Sequence, residues 1–259
     1  MARPGEAWSP NGQYLAYSSR RLAAEGGART IVIRSVQTGE EYELGPALRY
    51  IELQDWSPDS RSLLVVGQDK DGRGGAYRVD ARTGDVALLA MTEPIGSEYG
   101  DTANWLANGK SIIFGRSNGR SENSLGGGRS IVEHDLETGR ETEWYRAPAS
   151  LHLYYVEAAA DGRHLAFILR DPDVKVAGAS LMIMTAAGEK PRKLDLRLKG
   201  SDIVDSILGF TPDGRQVLFN SFDPGQKERG YKYWRIAVDG GADAQEIRLN
   251  LDRPVYTEQ

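Results

Sequence analysis

The chain contains no cysteine, and its 259 residues include only three histidines. The lack of cysteine excludes disulfide bonds and thiolate chemistry, and it leaves the redox compartment undetermined. The histidines, His134, His152 and His164, are not spaced as metal ligands. The sequence therefore predicts neither a metal site nor a cofactor.

Long apolar runs are missing as well. No window approaches the roughly 18 consecutive apolar residues that a membrane-spanning helix needs. The first residues, Met1–Trp8, contain no apolar stretch either, so we expect no signal peptide in this chain and no insertion into a membrane. These absences leave the cellular location open.

The sequence also lacks any convincing amphipathic helix. The chain instead contains 30 glycines and 11 prolines, which mark frequent turns. Apolar residues make up 40% and charged residues 27%, which is ordinary for a globular protein and argues against disorder. This composition favours a turn-rich, all-β domain.

A short motif recurs five times along the chain. In its second copy, Trp56-Ser-Pro-Asp-Ser60 leads into the aliphatic run Leu63–Val66. The copies begin 48 to 53 residues apart, at Trp8, Trp56, Trp105, Ala158 and Phe210. Self-similarity at a fixed period of this size is typical of a repeat architecture. The third and fourth copies are degenerate before their Asp/Asn-Gly step, but they keep the register.

Each repeat predicts four short strands. In the second repeat these are residues 50–56, 62–66, 76–80 and 85–89, with a polar loop at 67–75 between the second and third strands. The Asp/Asn-Gly steps supply the positive φ that tight turns require, and Ser60 stands at the glycine position of the second copy. The residues seven and nine positions after the start of each motif should pack between neighbouring sheets. They are Leu15, Leu63, Ile112, Leu165 and Val217, followed by Tyr17, Val65, Phe114, Phe167 and Phe219.

Five four-stranded units at this period favour radial repetition as a β-propeller. The Trp-Ser-Pro-Asp-Gly-type motif before an aliphatic strand resembles the TolB-like, WD-type propeller repeat. We therefore predict residues 1–259 to be one propeller domain of five blades. Either the ring closes at five, or the blades belong to a larger propeller of six or more, which the resemblance favours. The resemblance also implies a periplasmic location.

Charge is predicted to be unevenly distributed. The net charge of −5 argues against nucleic acid as a partner. The loops between the second and third strands nevertheless contain 13 Lys or Arg and 8 Asp or Glu residues, so the rest of the chain carries −10. They are 18–29, 67–76, 116–130, 170–180 and 221–233. A basic surface on an acidic body would steer an anionic partner.

Candidate binding residues lie where the innermost strands of the predicted blades begin. They are Arg49, Tyr50, Tyr99, Asp101, His152, Tyr154 and Asp205. Tyrosine, arginine and histidine at the mouth of a channel suit the recognition of a protein or peptide. The tyrosines could equally pack between blades, with their hydroxyl groups hydrogen-bonded.

A catalytic alternative rests on acids of the same strands. Some five-bladed propellers are glycoside hydrolases that use two carboxylates. Asp101 and Asp205 are the candidates, whereas Asp55 and Glu157 directly precede the motif and should only accept hydrogen bonds. This alternative is a carbohydrate-active hydrolase or lyase.

The chain contains no Gly-x-Ser-x-Gly nucleophile elbow. The resemblance to propellers of prolyl-oligopeptidase relatives therefore leaves at most a gating role, beside a catalytic domain that is not in this sequence. The main hypothesis is a non-catalytic scaffold that binds a protein or peptide partner. We expect it to be a monomer or a domain of a larger chain.

Overall fold

A computed structural model describes residues 5–19, 30–91, 102–116, 130–171, 179–185, 190–198, 202–226 and 230–248. Within these ranges the regular structure consists of twenty β-strands without a helix. The strands form five separate four-stranded antiparallel sheets, and each sheet takes its strands in chain order. The predicted all-β fold of five four-stranded blades is confirmed.

The first two sheets contain eight strands. Sheet one comprises β1 (Glu6–Trp8), β2 (Tyr14–Ser19), β3 (Thr30–Ser35) and β4 (Glu41–Leu44). Sheet two comprises β5 (Tyr50–Trp56), β6 (Ser62–Gln68), β7 (Gly74–Asp80) and β8 (Val86–Met91).

The remaining three sheets contain twelve strands. Sheet three comprises β9 (Ala103–Trp105), β10 (Ser111–Arg116), β11 (Ser130–Asp135) and β12 (Glu141–Arg146). Sheet four comprises β13 (His152–Ala158), β14 (His164–Arg170), β15 (Ser180–Thr185) and β16 (Arg192–Lys193). Sheet five comprises β17 (Ile203–Phe210), β18 (Gln216–Phe222), β19 (Tyr231–Ala237) and β20 (Gln245–Ile247).

The first residue of every motif copy occupies the same place in its sheet. It ends the first strand and pairs with the residue seven positions later on the second strand. The pairs are Trp8–Leu15, Trp56–Leu63, Trp105–Ile112, Ala158–Leu165 and Phe210–Val217. The predicted register of the repeat therefore holds in all five sheets, including the two with degenerate motifs.

The motif turn is also the same in all five copies. In each, the residue at the glycine position donates its backbone N–H to the carbonyl of the residue three positions earlier, over 2.8–3.0 Å. These donors are Gly12, Ser60, Gly109, Gly162 and Gly214, and all have positive φ. Ser60, with a φ of 59°, takes the conformation that its place in the repeat predicts.

The predicted loop of the second repeat is too long. β6 extends to Gln68 and β7 begins at Gly74, so only residues 69–73 connect them. Gly67 and Gly75 pair with each other within these strands. A Cβ atom would lie 2.7 Å from the Tyr50 carbonyl oxygen at Gly67 and 2.6 Å from the Ala90 carbonyl oxygen at Gly75. Here glycine permits close approach of neighbouring backbones instead of marking a loop.

The core lies between successive sheets. The first strands lie beside one another in the order β1, β5, β9, β13 and β17, and therefore form the innermost layer. Four apolar clusters join sheet one to two, two to three, three to four, and four to five. The residues seven and nine positions after each motif start are buried in sheets two to five, as predicted. Leu15 and Tyr17 of sheet one remain partly exposed.

Candidate functional site

Each innermost strand begins at one end of the channel and finishes at the motif. Antiparallel pairing places the end of the second strand beside the start of the first, as in Tyr50–Gln68 and His152–Arg170. The described ends of the second strands therefore lie at the same opening as the starts of the innermost strands. We call this opening the entry end and the opposite one the motif end.

Two of the predicted site residues lie at the entry end of sheet two. Arg49 is exposed, and its backbone N–H donates to the Gln68 carbonyl over 2.7 Å. Tyr50 is half-buried, and its hydroxyl donates to a carboxylate oxygen of Glu52 over 3.1 Å. The ring of Tyr50 is thus held in place while part of it faces solvent.

At the start of sheet four, His152 and Tyr154 are buried. Their ring centroids lie 6.3 Å apart, and the Arg170 guanidinium lies 5.4 Å from the centre of the Tyr154 ring. Burial raises the pKa of the Tyr154 hydroxyl above its usual value, and the nearby Arg170 cation opposes that shift. The alternative that tyrosines pack between blades therefore describes the Tyr154 ring, which belongs to the cluster between sheets four and five.

Arg170 joins this group to sheet five. Its guanidinium donates to the backbone carbonyls of Val204 and Asp205 over 3.4 and 3.5 Å. The structure thus brings His152, Tyr154 and the Asp205 backbone together around an arginine that the sequence did not single out. The sequence feature that could have revealed Arg170 is its place at the end of the second strand, where it pairs with His152.

A second fixed cation stands nearby on sheet five. The Lys232 ammonium donates to both carboxylate oxygens of Asp202 over 2.8 and 2.9 Å. The Asp202 side chain is buried, and its hydrogen bond raises the pKa of Lys232. The pair fixes β19 to the start of β17 at the entry end.

Several predicted features lie outside the described residues. Tyr99 and Asp101 are among them, as are most basic residues of the five loops. The loop at 67–76 is fully described, and its charges pair locally, Arg73 with Asp69 and Asp71, and Lys70 with Asp71. The basic entry surface therefore stays a prediction that depends on the other loops.

Two carboxylates interact electrostatically toward the motif end. Burial raises the pKa of Asp55 to about 7, and the negative charge of Glu157 adds to this effect. Backbone N–H groups of Trp56 and Trp105 oppose the shift, and the Trp56 N–H donates to Asp55 over 2.7 Å. Asp55 accepts hydrogen bonds as predicted, but its electrostatic coupling to Glu157 was not foreseen. The signal was their shared position, one residue before the motif.

The inner strands around these carboxylates are tied across sheets by side chains. The Ala103 N–H donates to the side-chain oxygen of Gln54 over 3.3 Å, and the Asn104 amide donates to the Val156 carbonyl over 2.6 Å. The Val156 N–H donates to the Thr102 hydroxyl oxygen over 2.9 Å. β-Bulges at Gln54 in β5 and at Tyr155–Val156 in β13 locally redirect the chain, as is common beside functional sites.

Neither a metal centre nor a membrane span emerges from the described part of the chain. Those residues contain no group of three or more His, Asp or Glu side chains arranged to hold a metal ion. A search of the same residues for a helix able to cross a membrane finds none.

Comparisons with known proteins identify the fold. No family model and no curated protein sequence matches the chain. A protein assigned as TolB from Agrobacterium tumefaciens superposes with a TM-score of 0.69 at 17% identity, over 94% of this chain and 79% of the other. TolB from Acinetobacter baumannii gives 0.66 at 19% identity, over 91% of this chain and 52% of the other. The chain therefore spans about half of that second protein.

An enzyme shares the same fold. Oligogalacturonate lyase from Vibrio parahaemolyticus superposes with a TM-score of 0.60 at 16% identity, over 94% of this chain and 64% of the lyase. The chain thus folds as a TolB-like β-propeller. Because TolB proteins and a lyase share this fold, function has to be argued from the site.

Proposed function

We propose that this propeller is a non-catalytic module that binds a protein or peptide at the entry end of its channel. The observation that carries the proposal is the group of aromatic and cationic residues held at this end by cross-sheet contacts. Arg170 links the Tyr154 ring of sheet four to backbone carbonyls of sheet five. Side chains fixed before binding lose little entropy when a partner docks.

The parts of this site have different roles. His152 and Tyr154 are buried and form a rigid floor, whereas Arg49 is exposed and Tyr50 is half-exposed. Tyrosine and arginine frequently dominate the energy of protein interfaces. Arg49 and Tyr50 would therefore contact the partner directly. The buried His152 and Tyr154 would hold the backbone of the entry end rigid. This chemistry suits an acidic peptide, or a peptide with side chains that pack on the exposed Tyr50 ring.

Selection from a random peptide library on the immobilised protein would test the proposal, with the affinity of selected peptides measured by calorimetry. Arg49→Glu should weaken binding by about tenfold or more, since it removes a cation and adds a like charge for an acidic peptide. Arg61→Glu is the matched control, because Arg61 is also exposed but lies in a motif turn at the opposite end. Peptides that bind Arg49→Glu as tightly as wild type would contradict the proposal.

A carbohydrate-active enzyme is the second candidate, because Asp55 and Glu157 interact electrostatically. A carboxyl group with a pKa of about 7 that feels the charge of a second acid is a feature of the acid–base pairs of glycoside hydrolases. The negative charge of Glu157 would repel a polyanion, so neutral oligosaccharides are the substrates that fit. An assay of neutral glycans with wild type, Asp55→Asn and Glu157→Gln would decide. The candidate requires turnover that each variant lowers by about 100-fold, and absence of turnover would remove it.

A further inference from the structure

Three Asn-Gly steps occur in the sequence, at Asn11, Asn108 and Asn118. Asparagine before glycine is a reactive pair, because no Cβ atom shields the glycine backbone nitrogen from the side-chain carbonyl carbon of the asparagine. Asn11 and Asn108 lie in the motif turns of sheets one and three, whereas Asn118 lies outside the described residues. The same reaction can therefore be compared in two copies of one turn.

The backbones of these two turns agree. The N–H groups of Gly12 and Gly109 donate to the carbonyls of Ser9 and Leu106 over 2.8 and 2.9 Å. The two glycines have φ values of 70° and 65°. Both asparagines are exposed. Neither backbone conformation nor exposure therefore distinguishes their reactivity.

Several hydrogen bonds hold Asn11. Its side-chain oxygen accepts the Ser9 hydroxyl over 2.7 Å and the Gln13 backbone N–H over 3.0 Å. Its amide group donates to the Gln13 side-chain oxygen over 3.4 Å. The Ser60 hydroxyl of sheet two accepts the Asn11 backbone N–H over 3.2 Å. Asn11 has to break several of these bonds before its side-chain carbonyl carbon can reach the Gly12 nitrogen.

Asn108 lacks the hydroxyl that fixes Asn11, because Leu106 stands at the place of Ser9. Its side-chain oxygen accepts the backbone N–H groups of Lys110 over 2.8 Å and of Ser111 over 3.2 Å. The described residues provide no hydrogen-bond partner for its amide group. The Asn108 side chain is therefore held by fewer bonds and turns more easily toward Gly109.

Aspartate already stands at this place in the other three copies. Asp59, Asp161 and Asp213 each accept the backbone N–H of the residue two positions later, over 2.9–3.0 Å. Asn108 accepts the corresponding N–H in the same way. A carboxylate in place of the Asn108 amide would keep this acceptor and lower the net charge of −5 by one. The turn is therefore suited to aspartate at position 108.

We propose that Asn108 deamidates spontaneously in the folded protein, and that its hydrogen bonds protect Asn11. A base removes the proton of the Gly109 nitrogen, which bonds to the Asn108 side-chain carbonyl carbon. The bond from that carbon to the amide nitrogen breaks, and the leaving nitrogen takes up a proton and departs as ammonia. Water opens the resulting succinimide. Cleavage of the new C–N bond gives aspartate, and cleavage of the original peptide bond gives isoaspartate.

Incubation of the folded protein at mildly alkaline pH tests the proposal. Mass spectrometry follows the replacement of amide by carboxyl, and trypsin separates positions 11, 108 and 118 because Lys or Arg residues lie between them. Asn108 should deamidate about tenfold or more faster than Asn11, since the additional bonds of Asn11 have to break before it reacts. Equal rates, a faster reaction at Asn11 or no reaction at Asn108 would overturn the proposal.

Two further measurements assign the difference to the fold. In concentrated urea both asparagines should react at similar rates, and a tenfold difference that persists there would contradict a role of the turn. Ser9→Ala should raise the rate at Asn11 by about fivefold and leave that at Asn108 unchanged, because it removes one hydrogen bond from Asn11. An unchanged rate at Asn11 would contradict protection by the hydroxyl.

The variant Asn108→Asp tests the fit of the product. It should unfold at the same urea concentration as wild type, because the turn already accepts aspartate in three copies. A lower midpoint would show that position 108 does not accept the carboxylate.

Discussion

Single residues with positive φ close the motif turns, and their surroundings differ although their backbones agree. Gly12 and Gly214 have φ values of 70° and 68°. A Cβ atom on Gly12 would meet nothing within 4 Å, whereas one on Gly214 would lie 2.4 Å from an Asp161 carboxylate oxygen of the neighbouring sheet. Asp161 is not free to move away without cost, because it accepts the Arg163 backbone N–H over 2.9 Å.

Alanine at these two positions should therefore have unequal effects. Gly12→Ala should lower the free energy of unfolding by about 1 kcal/mol, the cost of a left-handed backbone for a residue with a Cβ atom. Gly214→Ala should cost about 1 kcal/mol more, because it also displaces the Asp161 carboxylate. Urea denaturation of both variants measures the difference, and equal losses would show that the neighbouring carboxylate makes no contribution.

Asp55 makes stability depend on pH. Its pKa of about 7 in the folded protein exceeds the ordinary value of 3.8, so between these values the folded state holds more protons than the unfolded state. This contribution is complete below about pH 4 and is lost as pH rises through about 7.

Asp55→Asn should remove that dependence, because the amide cannot ionise. We expect the variant to gain about 1–2 kcal/mol relative to wild type on going from pH 5 to pH 8, less than the full shift implies because Asp55 is partly exposed. Urea denaturation at both values checks the gain. A stability difference between Asp55→Asn and wild type that is the same at both pH values would contradict the raised pKa of Asp55.

At the scale of the strand, the repeat predicted register better than it predicted loops. The strand Tyr50–Trp56 was predicted with both its ends, because the aromatic motif and the following turn mark its boundary. Gly67 and Gly75 were assigned to a loop, since the sequence does not show which backbone approaches a glycine. That information belongs to the pairing of neighbouring strands.

The candidate site was only partly accessible to sequence reasoning for the same reason. Tyr50 and His152 both lie six positions before their motif, and each begins the innermost strand of its sheet. The burial of His152 and the position of Arg170 against Tyr154 depend on how sheets four and five pack. Contacts between residues about 35 positions apart in sequence, on different sheets, leave no periodic signal.

Hydrogen bonds between sheets should contribute measurably to stability. The Trp56 indole donates to the buried Ala7 carbonyl, whereas the buried Trp105 indole has no hydrogen-bond partner among the described residues. Trp56→Phe should therefore destabilise the protein by about 1–2 kcal/mol more than Trp105→Phe, because it also leaves a buried acceptor without its donor. Thermal and urea denaturation of both variants compare the costs. A larger loss for Trp105→Phe would contradict this assignment.

For the molecule as a whole, the order of the sheets sets local stability. Sheets two, three and four are covered on both sides, whereas sheets one and five each pack against one neighbour in the described part of the chain. A repeat array of this kind is stabilised by its own units and by the joints between them. Among the described residues, sheets one and five therefore have fewer joints to oppose local opening.

Hydrogen exchange should show this gradient. The amides of β2 and β18 should exchange about tenfold or more faster than those of β6, β10 and β14, because opening sheet one or five disrupts one described joint instead of two. Mass spectrometry of peptides from each second strand measures the rates. Uniform protection over the five strands would mean that the sheets open together.

The turns between third and fourth strands are suitable places for spectroscopic labels, because the chain has no cysteine of its own. Gln37, Arg82 and Glu137 take the same place in three successive sheets, and all three are exposed. Since no native thiol competes, a cysteine introduced at any of them carries a spectroscopic label at one known point on the rim. The distance between two such labels on neighbouring blades would report directly whether those blades move apart or together.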